Sequence, residues 1–123
     1  MTDSDKQLLL RDLCGRMPYG VVCKMGGNGY ETVIEPITYF GLFQIAEDGL
    51  ECKPYLRHMS SMTADEEYEF SSIHDTFEKY GSHDRLCALT IGQMDWLNVH
   101  HFDYRGLIEK GLAIEAPEDM YKF

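Results

Sequence analysis

The sequence predicts an α+β fold in a single domain, residues 1–123, and three observations carry that expectation. Apolar residues recur at helical spacing near the N-terminus and again after residue 63. Between these stretches, β-branched residues are punctuated by glycine, as in short strands joined by tight turns. A dense apolar series, Met94, Trp96, Leu97, Phe102, Leu107, Ile108, Leu112 and Ile114, then closes the chain. The expected organisation is an N-terminal helix within residues 1–20 and a β-unit over 21–53. A long acidic helix over 63–80 and a compact helical C-terminal segment over 90–117 follow.

Ser4 followed by Gln7 fits a capping box, and Leu9, Leu10, Leu13, Cys14 and Met17 then follow helical spacing. The predicted helix covers about residues 4–16, ended by Gly15 and Pro18. Val21 to Met25 reads as a strand, and Gly26-Gly27-Asn28-Gly29 as a hairpin turn, because these residues tolerate positive φ. Tyr30 to Ile34 returns as a second strand, Ile37 to Ile45 reads as a third, and Leu50 to Lys53 as a fourth. Four short strands with tight turns predict a small antiparallel β-meander or an SH3-like barrel. The glycine run is no phosphate loop, since no Lys-Ser/Thr ending and no helix follow it.

Thr63 with Glu66 is the clearest capping box of the sequence. Phe70, Ile73, Phe77 and Tyr80 then form an inward stripe, and Gly81 supplies a stop. Residues 63–80 hold six acids and one lysine, a net −5, half of the chain's formal charge of −10. Residues 82–90 suit helix or strand equally. Thr90 with Gln93 opens a helix to about His101, Asp103 caps a short helix through Lys110, and Gly111 ends it. Leu112 to Ile114 has strand character.

At 123 residues the chain can bury one modest core, and 44% apolar with 26% charged residues argues against disorder. Its net −10 repels phosphate backbones, so direct nucleic-acid binding is not expected. The N-terminus is acidic where a signal peptide would be basic, and no apolar run suffices to span a membrane. A cytoplasmic chain is expected. Cys14, Cys23, Cys52 and Cys87 form no C-x-x-C pair and read as reduced, mostly buried thiols, with a disulfide framework as the other reading.

Asp95-Trp96-Leu97-Asn98, the run His101 to Ile108, Gly111-Leu112-Ala113 and Glu115-Ala116-Pro117 resemble a known C-terminus. It is that of a family of small uncharacterised proteins encoded by gut bacteria and by their phages and prophages. Lys53 to Arg57 with Met59 to Thr63 is similar to the family's central motif. Leu8-Leu9-Leu10, Asp12-Leu13-Cys14 and Pro18 to Val21 resemble its start. His58 and Asp119 depart from the proline and glycine usual there. The resemblance implies a phage or mobile-element context and brings no activity with it.

His100, His101 and Asp103 form the one constellation suited to metal or acid–base chemistry. Adjacent helical histidines point about 100° apart, however, and Asp103 serves equally as a helix cap; no metal and no cofactor are therefore expected. Arg105 could bind an anion or make a structural ion pair. Ser60-Ser61 lacks the glycine elbow of a serine nucleophile and reads as a cap. Tyr39, Phe40, Phe43 and Tyr55 are expected in the core, with a ligand groove as the alternative.

Without a strong catalytic motif, the reading leans away from an enzyme toward an accessory protein acting by protein–protein contact. Asp65, Glu69 and Thr76 on the outward face of the acidic helix are the expected contact residues for a basic partner. A metal-dependent hydrolase using His100, His101 and Asp103 is one alternative. An acidic nucleic-acid mimic that inhibits a DNA-binding host protein is another. Partner identity and oligomeric state are not written in the sequence.

Overall fold

The computed structural model describes residues 2–27, 29–73 and 91–121. They form an α+β fold with the element order α1 (Asp3–Arg16), β1 (Val22–Gly27), β2 (Tyr30–Pro36), α2 (Tyr39–Glu47), β3 (Glu51–Leu56), α3 (Ala64–Ser71), α4 (Ile91–Val99) and β4 (Ile114–Glu115). A single sheet of order β2-β1-β3-β4 runs through the molecule. β1 pairs antiparallel with both β2 and β3, while β3 pairs parallel with β4.

α1 starts earlier than the sequence suggests. Thr2 is its cap, accepting from the Asp5 amide while Asp5 reaches back, so Thr2–Asp5 rather than Ser4–Gln7 is the capping box. The hairpin between β1 and β2 is as expected, with Gly27 at φ 76° and Gly29 at φ 89°. The expected third strand over 37–45 is instead the helix α2. Thr38 caps it by accepting from the Gly41 amide at 3.1 Å, and Gly41 and Ile45 form its buried face. The meander and the SH3-like barrel are therefore both replaced by a mixed sheet, whose fourth strand comes from the far end of the chain.

Among the described residues, one face of the sheet packs on the core and the other carries exposed side chains. Cys23, Met25, Cys52 and Leu56 alternate inward with exposed Lys24, Glu51 and Lys53. The inward face packs on Leu9 and Leu13 of α1, Ile45 of α2 and Leu107. Cys23 and Cys52 are buried thiols and Cys14 is exposed, while Cys87 lies outside the described residues. The neighbouring Cys52 thiol, together with burial, pushes the Cys23 thiol far above its usual range and keeps it protonated.

A second cluster forms where α3 meets α4. Trp96, Leu97 and Phe102 are buried there, with Phe70, Ile73, Met62 and Tyr104 packed around them. Trp96 stacks near-parallel on Phe102 at 5.7 Å and donates its indole N–H to Glu69 at 2.8 Å. The inward placement of Trp96, Phe70 and Ile73 agrees with the sequence reading. Phe77, Tyr80 and the rest of the expected acidic helix, with residues 82–90 and Thr90, lie outside the described residues.

α4 ends at Val99, and residues 103–110 form turns rather than the expected short helix. Asp103 caps no helix. Its carboxylate accepts from the Leu107 and Ile108 amides at 2.8 and 3.0 Å, closing a loop that Gly106 and Gly111 turn at positive φ. The expected strand character after Leu112 is seen in β4. Among the described residues, no helix is long and apolar enough to cross a membrane.

The Thr63–Glu66 box stands at the start of α3, with the Glu66 amide donating to the Thr63 hydroxyl at 3.2 Å and the Thr63 amide to Glu66 at 3.0 Å. Thr63→Ala is expected to lower unfolding stability by roughly 1 kcal/mol. Urea denaturation followed by tryptophan emission measures it, since Trp96 is tied to the same helix through Glu69.

Candidate functional site

The polar residues singled out in the sequence do not converge on one centre. His100 packs tilted against Trp96 with ring centroids 4.2 Å apart, and burial lowers its pKa against the opposing Glu66 and Glu69 charges. Its Nδ1 lies 3.9 Å from Glu66 Oε2. His101 turns elsewhere: it sits in the left-handed region at φ 61°, with its ring stacked on Tyr121 at 3.9 Å. Asp103, as above, is engaged by two backbone amides. Among the described residues, no group of three or more His, Cys, Asp or Glu side chains is arranged to hold a metal ion.

Arg105 contacts Asp12 Oδ1 through Nε at 3.1 Å, so its charge is already met by a buried carboxylate. Arg57 makes a two-pronged pair with Glu66, both contacts at 2.8 Å, and that guanidinium holds the Glu66 carboxyl at about 2. A cleft of about 450 Å³ opens beside Arg57, His58, Ser61, Glu115 and Tyr121. Its polar groups serve the fold. The Tyr121 hydroxyl donates to the Tyr55 carbonyl at 2.7 Å, and burial pushes its pKa up to about 12. Ser61 donates to the His58 carbonyl inside the short turn Met59–Ser61 rather than capping a helix as expected; Thr63 caps α3 instead.

Of the expected contact residues, Asp65 is exposed, Glu69 is exposed but engaged by the Trp96 indole, and Thr76 lies outside the described residues.

The conspicuous surface lies on α2 instead. Tyr39 is 81% exposed, Phe40 66% and Phe43 54%, and the two phenylalanines stack at 6.3 Å. The expectation that these three aromatics fill the core is thus overturned; Tyr55 is half-buried. With Gly41 and Ile45 facing the core, residues 39, 40 and 43 fall on the opposite side of the 3.6-residue turn. A continuous aromatic surface of this kind marks a contact site far more often than scattered exposed residues do. Thr38 was the available signal: as a cap it starts a helix, and helical spacing then turns these aromatics outward.

Between α2 and β2 runs a groove of about 220 Å³, floored by buried Met25 and Leu50 and walled by Val33 and Gln44. Glu31 and Glu35 line it from β2. From residue 29 to residue 50 the chain carries Glu31, Glu35, Glu47 and Asp48, and no Lys, Arg or His. Exposed aromatic rings on α2 thus lie beside an apolar groove with an acidic rim.

Comparison with protein-family models, curated proteins and solved structures finds no match to this chain.

The His101 environment makes a testable statement about acid stability. Burial first, then the nearby Arg16, His100 and Arg57 charges, lower its pKa to about 4, against the opposing hydrogen bond to the Tyr19 backbone. Between the ordinary 6.5 and about 4, the unfolded chain binds a proton that the folded chain refuses. This contribution is therefore complete above pH 6.5 and lost as pH falls toward 4. Asn also tolerates positive φ, so His101→Asn keeps the turn and removes the titration. Its loss of urea midpoint from pH 7 to pH 5 is expected to be smaller than that of the unsubstituted protein.

Proposed function

We propose that the chain is a non-enzymatic, cytoplasmic accessory protein of phage or mobile-element type that works by binding another protein. The observation that carries the reading is the outward aromatic face of α2, Tyr39, Phe40 and Phe43, where two of the rings stack on each other in an exposed position. Each large apolar side chain moved out of water contributes roughly 1.5–3 kcal/mol. Two or three such anchors on one helix suffice for a specific contact. The acids around this face favour a basic partner, through faster encounter and complementary potential.

The two other functions have less support. A metal-dependent hydrolase requires His100, His101 and Asp103 to share a ligand, whereas each makes its own separate contacts. An acidic mimic requires an uncommitted array of carboxylates, whereas Glu66 and Glu69 of α3 serve Arg57 and Trp96.

Selection of a displayed random-peptide library on the purified protein tests the reading. Phe40→Ser with Phe43→Ser should leave the urea midpoint nearly unchanged, because both rings are exposed. The same pair should weaken the selected peptides by at least about tenfold. Peptides that bind the double variant as well as the original would overturn the assignment of this face.

A further inference from the structure

We infer that the groove between β2 and α2 receives an extended segment of the partner whose same-side residues read basic, apolar, basic. The inference rests on the protein-contact reading above and specifies its partner. Three features of the groove lead to it.

The first is the chemistry of its floor and rim. Met25 and Leu50 give an apolar floor with Val33 beside it, while Glu31 and Glu35 flank Val33 along the same strand. All seven residues of β2 are exposed. At about 3.3 Å per residue, the backbone positions of Glu31 and Glu35 stand at most roughly 13 Å apart, the bulge at Glu31–Thr32 shortening the run. An extended chain puts every second side chain on one side, so a basic residue, an apolar one and a second basic one at successive same-side positions match Glu, Val and Glu in spacing. At the Glu31 end, the Tyr30 hydroxyl lies 3.5 Å from Asp48 Oδ2, adding a further carboxylate.

The second feature is the state of the strand edge. Among the described residues, β2 pairs only with β1, and no other strand lies along its far edge. The edge is broken, however: two residues, Glu31 and Thr32, oppose the single Gly26 in a bulge, and Pro36 carries no amide proton. A long added ladder is therefore disfavoured, and recognition falls to side chains in the groove rather than to backbone pairing.

The third feature concerns a second copy as occupant. The only basic-x-apolar-x-basic segment of this sequence is Lys53, Tyr55 and Arg57. It runs along and just beyond β3, which lies between β1 and β4, and Arg57 is held by Glu66. Two copies joined through β2 would also set Glu31 against Glu35, like charges directly opposed. The occupant is a different, basic chain.

The test uses three labelled synthetic peptides, followed by fluorescence anisotropy at low and high salt. Their central sequences are Lys-Thr-Val-Thr-Lys, its scramble Thr-Lys-Lys-Val-Thr, and Glu-Thr-Val-Thr-Glu. The first is expected to bind at least about tenfold more tightly than the scramble, and to weaken as salt rises. Glu31→Lys with Glu35→Lys, both at exposed positions, should lose the lysine peptide and gain the glutamate peptide. Equal affinity for the scramble, or a double variant that keeps the lysine peptide, would overturn the inference. If library-selected peptides depend on Phe40 and Phe43 while the lysine peptide fails to bind, the inference falls and the contact reading stands. If no peptide responds to the aromatic substitutions, the contact reading itself falls.

Discussion

Arg16 carries a full positive charge into the interior, with none of its side chain reaching solvent. An unpaired charge there would cost several kcal/mol, so its partners decide whether the fold holds. Asp12, one turn earlier on α1, accepts from Nε at 2.7 Å and from Nη2 at 3.2 Å. The same Nη2 donates to the Phe102 carbonyl at 2.6 Å, joining residues 86 positions apart. Nη1 is buried without a hydrogen bond among the described residues, and the Tyr104 ring, 5.1 Å from the guanidinium carbon, supplies a cation–π contact. Arg105 approaches the same carboxylate from a partly exposed position, so Asp12 is shared by two cations.

Phe102 is consequently held from two sides. Arg16 takes its carbonyl, while Arg57 lies over its ring at 4.2 Å. The neighbouring backbone completes the join, as the Arg57 amide donates to the His101 carbonyl and the Asp103 amide to the Arg57 carbonyl, both at 2.8 Å. Arg57 in turn pairs with Glu66 of the capping box, so α1, β3, α3 and the loop after α4 are linked through two guanidinium groups. The left-handed turn at His101 is the backbone conformation that permits this arrangement. All of this polar construction lies away from the β2 edge. Among the described residues the β2 edge has no comparable covering, and the aromatics of α2 face outward.

Features encoded by near neighbours were legible in the sequence. Thr63 and Glu66 satisfy each other three residues apart, Gly27 and Gly29 turn the hairpin, and the inward stripe of Phe70 and Ile73 follows from helical spacing. Trp96 was legible as core for its size. Features set by distant partners were not. Residues 37–45 carry high β-propensity, yet the Thr38 cap and the packing of Gly41 and Ile45 against the core make them a helix. That misassignment hid the outward aromatic face, and with it the candidate site. Asp103 has the composition of a helix cap, but its loop is shaped by the bonds that Arg16 and Arg57 make on either side. The parallel pairing of β3 with β4 depends on residues about sixty apart in sequence, beyond the reach of any local pattern.

The central claim is that the Asp12–Arg16 pair acts as one unit joining the first helix to the C-terminal loop. Urea unfolding of Asp12→Leu, Arg16→Met and the combined variant measures it most directly. On this account Asp12→Leu loses roughly 3–5 kcal/mol because it strands the buried Arg16. Arg16→Met loses less because Arg105 still meets Asp12, and the combined variant loses far less than the sum. Single losses below about 1 kcal/mol that simply add in the combined variant would contradict the account.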